Sequence, residues 1–485
     1  MHTFATRISL ILFGLLAACM SPTGDETAPV SPPGMITQAL SSTDCANPVD
    51  YGAIPNDGID DGPAFRAMYA APGVMHGCVG PGHWTLNYNR FASISLGQGQ
   101  TLTGAGPSTI FDMTGDGHAG TWFGIELNGG SVRAISMNQV GLFNPDSAGQ
   151  VHMIQIGAGD RTVVADVTLG PSSSGLGDCV RLLGTDATHQ ITGVLISHVV
   201  ARQCGRSGLA LQHDVASGTV MGSVWNSIGD QDIDYEPTSA GPVRLTITGN
   251  VMLHTNSAFS VTLSDAGAGN ESVFSNNLVV GGNVQAVRAN NVTFSNNTIL
   301  GNPTANTATL DIIRNSTGVR LTGNYIVRPA GAPANYVVRF SQNNGGFPSN
   351  EIISNNRIVQ NTVFQALHLE GVSKTIVSAN NVTMATAWSV GYAISCSSIG
   401  ASCDQNVFNG NMVESPAGTT LAAVALLGRT AGSIPTGRNI VLGNIGAGFT
   451  NSVYCAGPFT GPVRIDDNIL GGTVTCAGAS VGTNL

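Results

Sequence analysis

Residues 273–280 read VFSNNLVV and residues 292–299 read VTFSNNTI. Each joins two short apolar stretches through a pair of asparagines. The phrase recurs as LTITGNVM at 245–252, VRLTGNYI at 319–326, IISNNRI at 352–358, IVSANNVT at 376–383, VFNGNMV at 407–413, IVLGNIG at 440–446 and VRIDDNIL at 463–470. Its second asparagine falls at Asn250, Asn277, Asn297, Asn324, Asn356, Asn381, Asn411, Asn444 and Asn468, in steps of 20 to 33 residues. Self-similarity at such a period signals stacked repeats. Strand-sized apolar pieces with one turn signal per repeat predict an all-β solenoid, a right-handed parallel β-helix whose coils stack at about 4.8 Å. An asparagine at the same bend of every coil can bond the turn backbone and the asparagine of the next coil, forming a ladder.

A second column supports the same period. Strands such as CVRLL, GLALQ, DIDYE and ALHLE align on inward residues Val180, Leu209, Ile233, Phe259, Val287, Leu310, Val338, Leu367 and Ile394, spaced 23 to 29 residues apart.

The 485-residue chain is only 10% charged, carries a net charge of −10 and has Lys374 as its single lysine. That balance disfavours nucleic acid as a partner, because phosphate binding needs clustered cations. At the N-terminus Arg7 precedes the apolar run ISLILFGLLAA, too short to span a bilayer as a helix. Residues 1–18 read as a signal peptide, 19–44 as a Pro/Ser/Thr-rich flexible tether and 45–485 as the solenoid. The segment LAAC at 16–19 resembles the lipobox of bacterial lipoproteins. It implies that Cys19 is lipidated and that the protein is exported and anchored to the outer membrane or cell surface, with no spanning helix. Eight further cysteines, an even number, suit an oxidising compartment. Their spacing suggests the pairs Cys45–Cys78, Cys179–Cys204, Cys396–Cys403 and Cys455–Cys476.

The stretch VDYGAIPNDGIDDGPAFRAMYAA at 49–71, followed by CVGPGHWTL and QTLTGAGPSTIF, resembles the opening segment of the pectate lyase superfamily. That group includes rhamnogalacturonases, polygalacturonases, epimerases and phage tailspikes. The resemblance implies a pectin lyase-like β-helix with an N-terminal helical cap near 61–71, and glycan processing as the activity. Asp57, Asp60 and Asp61 read as turn and cap residues rather than catalysts. The narrower catalytic motifs of polygalacturonases and of the main pectate lyases are absent, so the reaction is not fixed by the fold.

The chemistry-bearing stretch is DQDIDYEP at 230–237. If Ile233 and Tyr235 face inward, alternation turns Asp232, Asp234 and Glu236 outward together, about 6.6 to 6.8 Å apart. Three like charges at that spacing need a cation, a proton or flanking arginines. The aligned column supplies Arg181, Arg288, Asp311, Arg339 and His368 in register with Asp234, and Gln212 in register with Glu236. Arg206 and His213 flank the preceding strand. The expected function is cleavage of an extracellular polysaccharide. The arginines and the family resemblance favour β-elimination on a uronate-containing glycan, with Ca²⁺ held by Asp232, Asp234 and Glu236 and with Arg206, Arg288 or His213 as base. Glycoside hydrolysis by Asp234 and Glu236 is the close alternative, and a non-catalytic glycan-binding or adhesin protein the third. Arg181, Gln212, Arg288, Asp311, Arg339 and His368 would bind the sugar chain. A monomer is expected in preference to a trimer.

Overall fold

The computed structural model describes residues 45–482 apart from 89–93, 116–120, 141–149, 158, 173–176, 185–189, 214, 228, 237–243, 255–258, 265–270, 315, 342–346, 386–389, 397–402, 416–419, 429–437, 448, 457–461, 471–472 and 477–479. The expected signal peptide, the tether and Cys19 lie outside the described residues. The chain winds through three parallel sheets of 16, 15 and 15 strands, each strand pairing with its counterparts one coil before and after. The first sheet opens with His76–Val79, the second with Gly82–Tyr88 and the third with Ile94–Leu96. Crossovers between parallel strands are right-handed almost without exception, so this is a right-handed parallel β-helix.

Alternation along each short strand fills the bore. Phe274, Phe294, Leu321, Ile353, Val377, Phe408 and Val441 follow one another in register up the first sheet, all buried. Phe274 and Phe294 touch across adjacent coils with centroids 5.8 Å apart. No coil could bury these side chains alone.

The paired residues at each bend do different jobs. The first adopts left-handed backbone: φ is +55° at Asn276 and Asn296, +57° at Asn355, and +68° at Gly323. Glycine and asparagine tolerate that region best. The second residue turns its amide inward as a rung. Asn324 Nδ2 donates to Asn356 Oδ1 at 2.9 Å and to the Phe294 carbonyl at 3.0 Å, while its Oδ1 accepts from the Asn297 amide at 3.0 Å. The ladder runs unbroken from Asn250 to Asn468. Its member in the IVSANNVT coil is Asn380, not Asn381. Ala379 takes the left-handed position there, φ +54°, so the rung moves back one residue.

The N-terminal end is closed by the helix Gly62–Ala70. Phe65 and Met68 are buried, and Phe65 packs edge-on to Trp84 with centroids 6.0 Å apart. The aspartates before it hold turns, as expected. Asp57 accepts from the Ile59 amide, Asp60 from Gly62, and Asp61 from Ile54 and Thr85.

Disulfides Cys45–Cys78, Cys179–Cys204 and Cys455–Cys476 form between neighbouring segments, fitting a chain that folds in an oxidising compartment. Cys403 is disulfide-bonded too; the side chain of Cys396, its expected partner, lies outside the described residues. The inward column of the third sheet is Val180, Leu209, Ile233, Val261, Val284, Leu310, Val338, Leu367 and Tyr392. Phe259, Val287 and Ile394 therefore do not belong to it. A bulge at Phe259/Val261 and variable loop lengths shift those strands by two or three residues.

Asn324→Ala removes the acceptor of the Asn297 amide and a donor to the Phe294 carbonyl, both buried. Unsatisfied groups cost about 1–3 kcal/mol each, so urea denaturation should show a loss of about 3 kcal/mol; a loss below about 0.5 kcal/mol would deny the ladder a stabilising role.

Candidate functional site

The strand Ile233–Glu236 lies in the third sheet between Leu209–Gln212 and Phe259–Ser264. Ile233 and Tyr235 enter the bore, which turns Asp234 and Glu236 to the outer flank. Glu236 is exposed. Asp234, although on the outside of the sheet, is only 4% exposed, and its Oδ1 is buried without a hydrogen-bond partner. Burial first, and then the charge of Glu236, push the Asp234 carboxyl up to about 7; the Arg206 guanidinium pulls the other way without reversing the shift.

Arg206 stands in the turn that enters the preceding coil. Its Nε donates to Asp178 Oδ1 at 2.8 Å and its Nη2 to Asp178 Oδ2 at 2.6 Å. The Cys179–Cys204 disulfide ties the two coils beside this pair, Cys179 directly following Asp178. Asp178 is 1% exposed. Burial alone would raise its pKa, but hydrogen bonds from His152 and Arg206 outweigh it and hold the carboxyl below the ordinary range. Burial disfavours charge on Arg206 as well, yet the bond to Asp178 dominates and holds the guanidinium above its usual value. Such a bidentate salt bridge makes Arg206 a worse proton acceptor and so weakens the support for it as base.

His152 completes the cluster. Its Nδ1 lies 3.1 Å from Asp178 Oδ2, and its Nε2 lies 3.1 Å from Arg181 Nη1. A guanidinium only donates, so Nε2 is an acceptor, while Nδ1 faces both the Asp178 carboxylate and the Asp178 backbone amide, which donates to it at 3.2 Å. Burial lowers the pKa of His152 and keeps it neutral. Arg181 in turn donates through Nε to Gln212 Oε1 at 3.1 Å, and Gln212 pairs with Glu236. Burial lowers the pKa of Arg181. A continuous polar chain thus runs from Asp178 through His152, Arg181 and Gln212 to the strand that carries the acids.

The register places Arg181, Asp311, Arg339 and His368 in the column of Asp234, as the spacing suggested. Three to five coils beyond the acids, Arg339 grips Asp311 through Nε at 2.8 Å and Nη2 at 2.5 Å, and His368 follows it. Arg288 does not belong to the column. It lies past the strand Asn283–Val287 on left-handed backbone, φ +53°, and Gln285 takes the position. His213 is exposed, directly beyond the strand Leu209–Gln212.

Asp232 departs most from expectation. It precedes the strand, so alternation does not govern it, and its side chain is fully buried. Ser260 Oγ donates to Asp232 Oδ2 at 2.6 Å, and His254 Nδ1 lies 3.5 Å from the same oxygen. The three carboxylates therefore do not converge. Among the described residues no group of three or more His, Cys, Asp or Glu is placed to hold a metal, and the donor set expected for Ca²⁺ is reduced to Asp234 and Glu236. The crowding of these two acids is met by a proton on Asp234 and by Arg206. Sequence reading missed His152 and Asp178. The traceable signal is the polar residue before each third-sheet strand, as in GDCVRLL, GRSGLAL and DQDIDYE.

No protein-family model matches the chain, and no curated protein matches it in sequence. Solved structures do. The mannuronan C-5 epimerase AlgE6 A-module of Azotobacter vinelandii is 15% identical, with 89% of this chain and 99% of that one covered and a TM-score of 0.47. The tailspike gp61 of Pseudomonas phage phi297 is 12% identical, with 83% and 80% covered and a TM-score of 0.49. The GH87 α-1,3-glucanase catalytic unit of Streptomyces thermodiastaticus is 14% identical, with 91% and 68% covered and a TM-score of 0.30. These are likenesses of fold, and no functional argument rests on them.

A carboxyl whose folded pKa lies near 7 holds a proton that the unfolded chain releases near 3.9, so stability declines as pH rises through that window and levels off above it. Asp234→Asn removes this decline. Between pH 5 and pH 8 the parent should lose about 3 kcal/mol relative to the variant, at about 1.4 kcal/mol per pH unit, as read by urea denaturation; parallel pH profiles would contradict the raised pKa.

Proposed function

We propose that this protein is an exported polysaccharide-cleaving enzyme whose acid–base pair is Asp234 and Glu236, and that it acts by glycoside hydrolysis. The observation that carries the reading is the burial of Asp234, which with the charge of Glu236 pushes its carboxyl up to about 7, beside an exposed Glu236 on one strand. Outward neighbours on a strand stand about 6.6–6.8 Å apart, at the short end of the 6.5–9.5 Å range for inverting hydrolysis. Asp234 protonates the glycosidic oxygen as the bond to the anomeric carbon breaks. Glu236, open to solvent, takes a proton from the water that attacks that carbon. After product release solvent returns the proton to Asp234 and removes it from Glu236. Arg206, locked to Asp178, sets the local field. Gln212 lies beside Glu236 and accepts from Arg181, and the pair would orient a sugar hydroxyl.

Elimination on a polyuronate was the leading expectation because the flank supplies arginines. Their pairing weakens that support: Arg206 and Arg339 are already neutralised by Asp178 and Asp311. Arg181 keeps it alive as a second reading, since its side-chain hydrogen bonds go to the neutral partners Gln212 and His152 and burial lowers its pKa. Ca²⁺ bound at Asp234 and Glu236 belongs to that second reading. A lipid at Cys19 would hold the enzyme at the cell surface.

Purified protein screened against neutral and acidic polysaccharides should release reducing ends without the ultraviolet absorbance of an unsaturated product, and should keep its activity in chelator. kcat should fall above pH 7 as Asp234 loses its proton, and Asp234→Asn should lower it by about 10²–10⁴-fold. An absorbing product abolished by chelator would establish elimination instead. Glycan retention without any product would establish a binding protein.

A further inference from the structure

The flank that carries Asp234 does not end with the acids. Five coils on, at about 4.8 Å per coil and so about 24 Å away, the same column reaches His368. Three coils further it reaches Tyr454, through Ala393 and Ala425. One outward position along, Ser395, Leu427 and Ala456 stack in register. Between these side chains lies a cavity of about 450 Å³, lined also by Tyr336, Phe364 and Gln365.

One wall of this cavity is an aromatic stack. Tyr336 lies on His368 with centroids 4.3 Å apart and planes inclined by 22°, and Phe364 meets Tyr336 edge-on at 4.7 Å. Half-buried Tyr454, three coils beyond His368, lines the cavity as well. The wall is held rigidly from behind. Arg328, fully buried, donates to the carbonyls of Thr307 at 2.6 Å, Ala305 at 2.9 Å and Pro333 at 3.1 Å. Gln360 Nε2 donates to the carbonyls of Asn335 and Gln365 at 2.9 and 3.0 Å. These buried donors fix the two loops that present Tyr336, Phe364 and Gln365. Gln365 Oε1 accepts from His368 Nδ1 at 2.6 Å, which sets the tautomer of that ring.

Aromatic walls, an amide and a hydroxyl suit an apolar ring face edged with hydroxyl groups. Among the described residues no carboxylate, lysine or arginine lines the cavity, and the nearby guanidinium of Arg339, 5.8 Å from the Tyr336 ring centroid, is paired with Asp311, so the described lining favours an uncharged sugar. We infer that this cavity is a second sugar-binding subsite, which takes uncharged pyranose units of a long polysaccharide whose scissile bond lies at Asp234. The placement of the scissile bond rests on the proposed function; the subsite itself does not. Occupation of both places requires a chain of several sugars, so the protein selects polymer over short oligosaccharides.

The test reads binding, not turnover. Asp234→Asn protein is run by affinity electrophoresis through gels containing a soluble glucan, mannan or galactan, or alginate or polygalacturonate. At least one neutral polymer should retard it. Adding Tyr454→Ala should weaken that retardation about tenfold, the scale of a lost aromatic contact, whereas Tyr454→Phe should retain it, and unchanged melting temperatures show that both variants fold. Equal retardation of the Tyr454→Ala protein, or retardation by the polyuronates alone, would overturn the subsite. Loss of binding in Tyr454→Ala together with an inactive parent enzyme would instead leave the subsite standing and remove the hydrolase reading.

Discussion

Register between coils is the constraint on which the rest of this molecule depends. Each strand is only a few residues long and cannot hold its place alone, but a parallel neighbour above and below fixes which side chain faces the bore and which faces out. The asparagine ladder pins that register at one bend of every coil from Asn250 to Asn468. A slip of one residue in any coil would exchange that coil's inward and outward side chains and leave a buried amide unpaired. The left-handed residue before each rung and the rung itself thus act as one device, which explains why the repeats write Gly-Asn, Asn-Asn or Asp-Asn and seldom anything else.

On that frame the site is made by unequal burial. Asp234 and Glu236 are chemically similar, adjacent on one face and opposite in environment: one is enclosed, the other open to water. Desolvation penalises charge on the enclosed acid, and the neighbouring carboxylate adds to the penalty. Arg206 limits the shift but is itself committed to Asp178, which packs against the His152 ring and beside the Cys179–Cys204 bridge. A carboxyl pushed up to about 7 and enclosed beside one open to water is an arrangement suited to acid–base chemistry at neutral pH.

Much of the architecture was legible in the sequence, because periodicity reports stacking directly. The ladder was read correctly except at IVSANNVT, where two asparagines share the bend and only backbone geometry selects Asn380. The column of Asp234 was right at Arg181, Asp311, Arg339 and His368 and wrong at Arg288, because loop lengths between coils vary and a bulge resets the count near Phe259. Asp232 was misjudged for a different reason: alternation holds within a strand, and this residue lies just before one. His152 and Asp178 carry no motif and are 26 residues apart. Only the winding of the chain brings them together with Arg206.

The central claim is that Asp234 keeps its proton near neutrality in the folded protein. Carboxyl-region infrared difference spectra of the parent against Asp234→Asn, recorded through a pH titration, isolate that one group. A protonated-carboxyl band that disappears with a midpoint of about 7 is the expected result. A midpoint near 4, the ordinary aspartate range, would contradict the account and leave the flank without its acid.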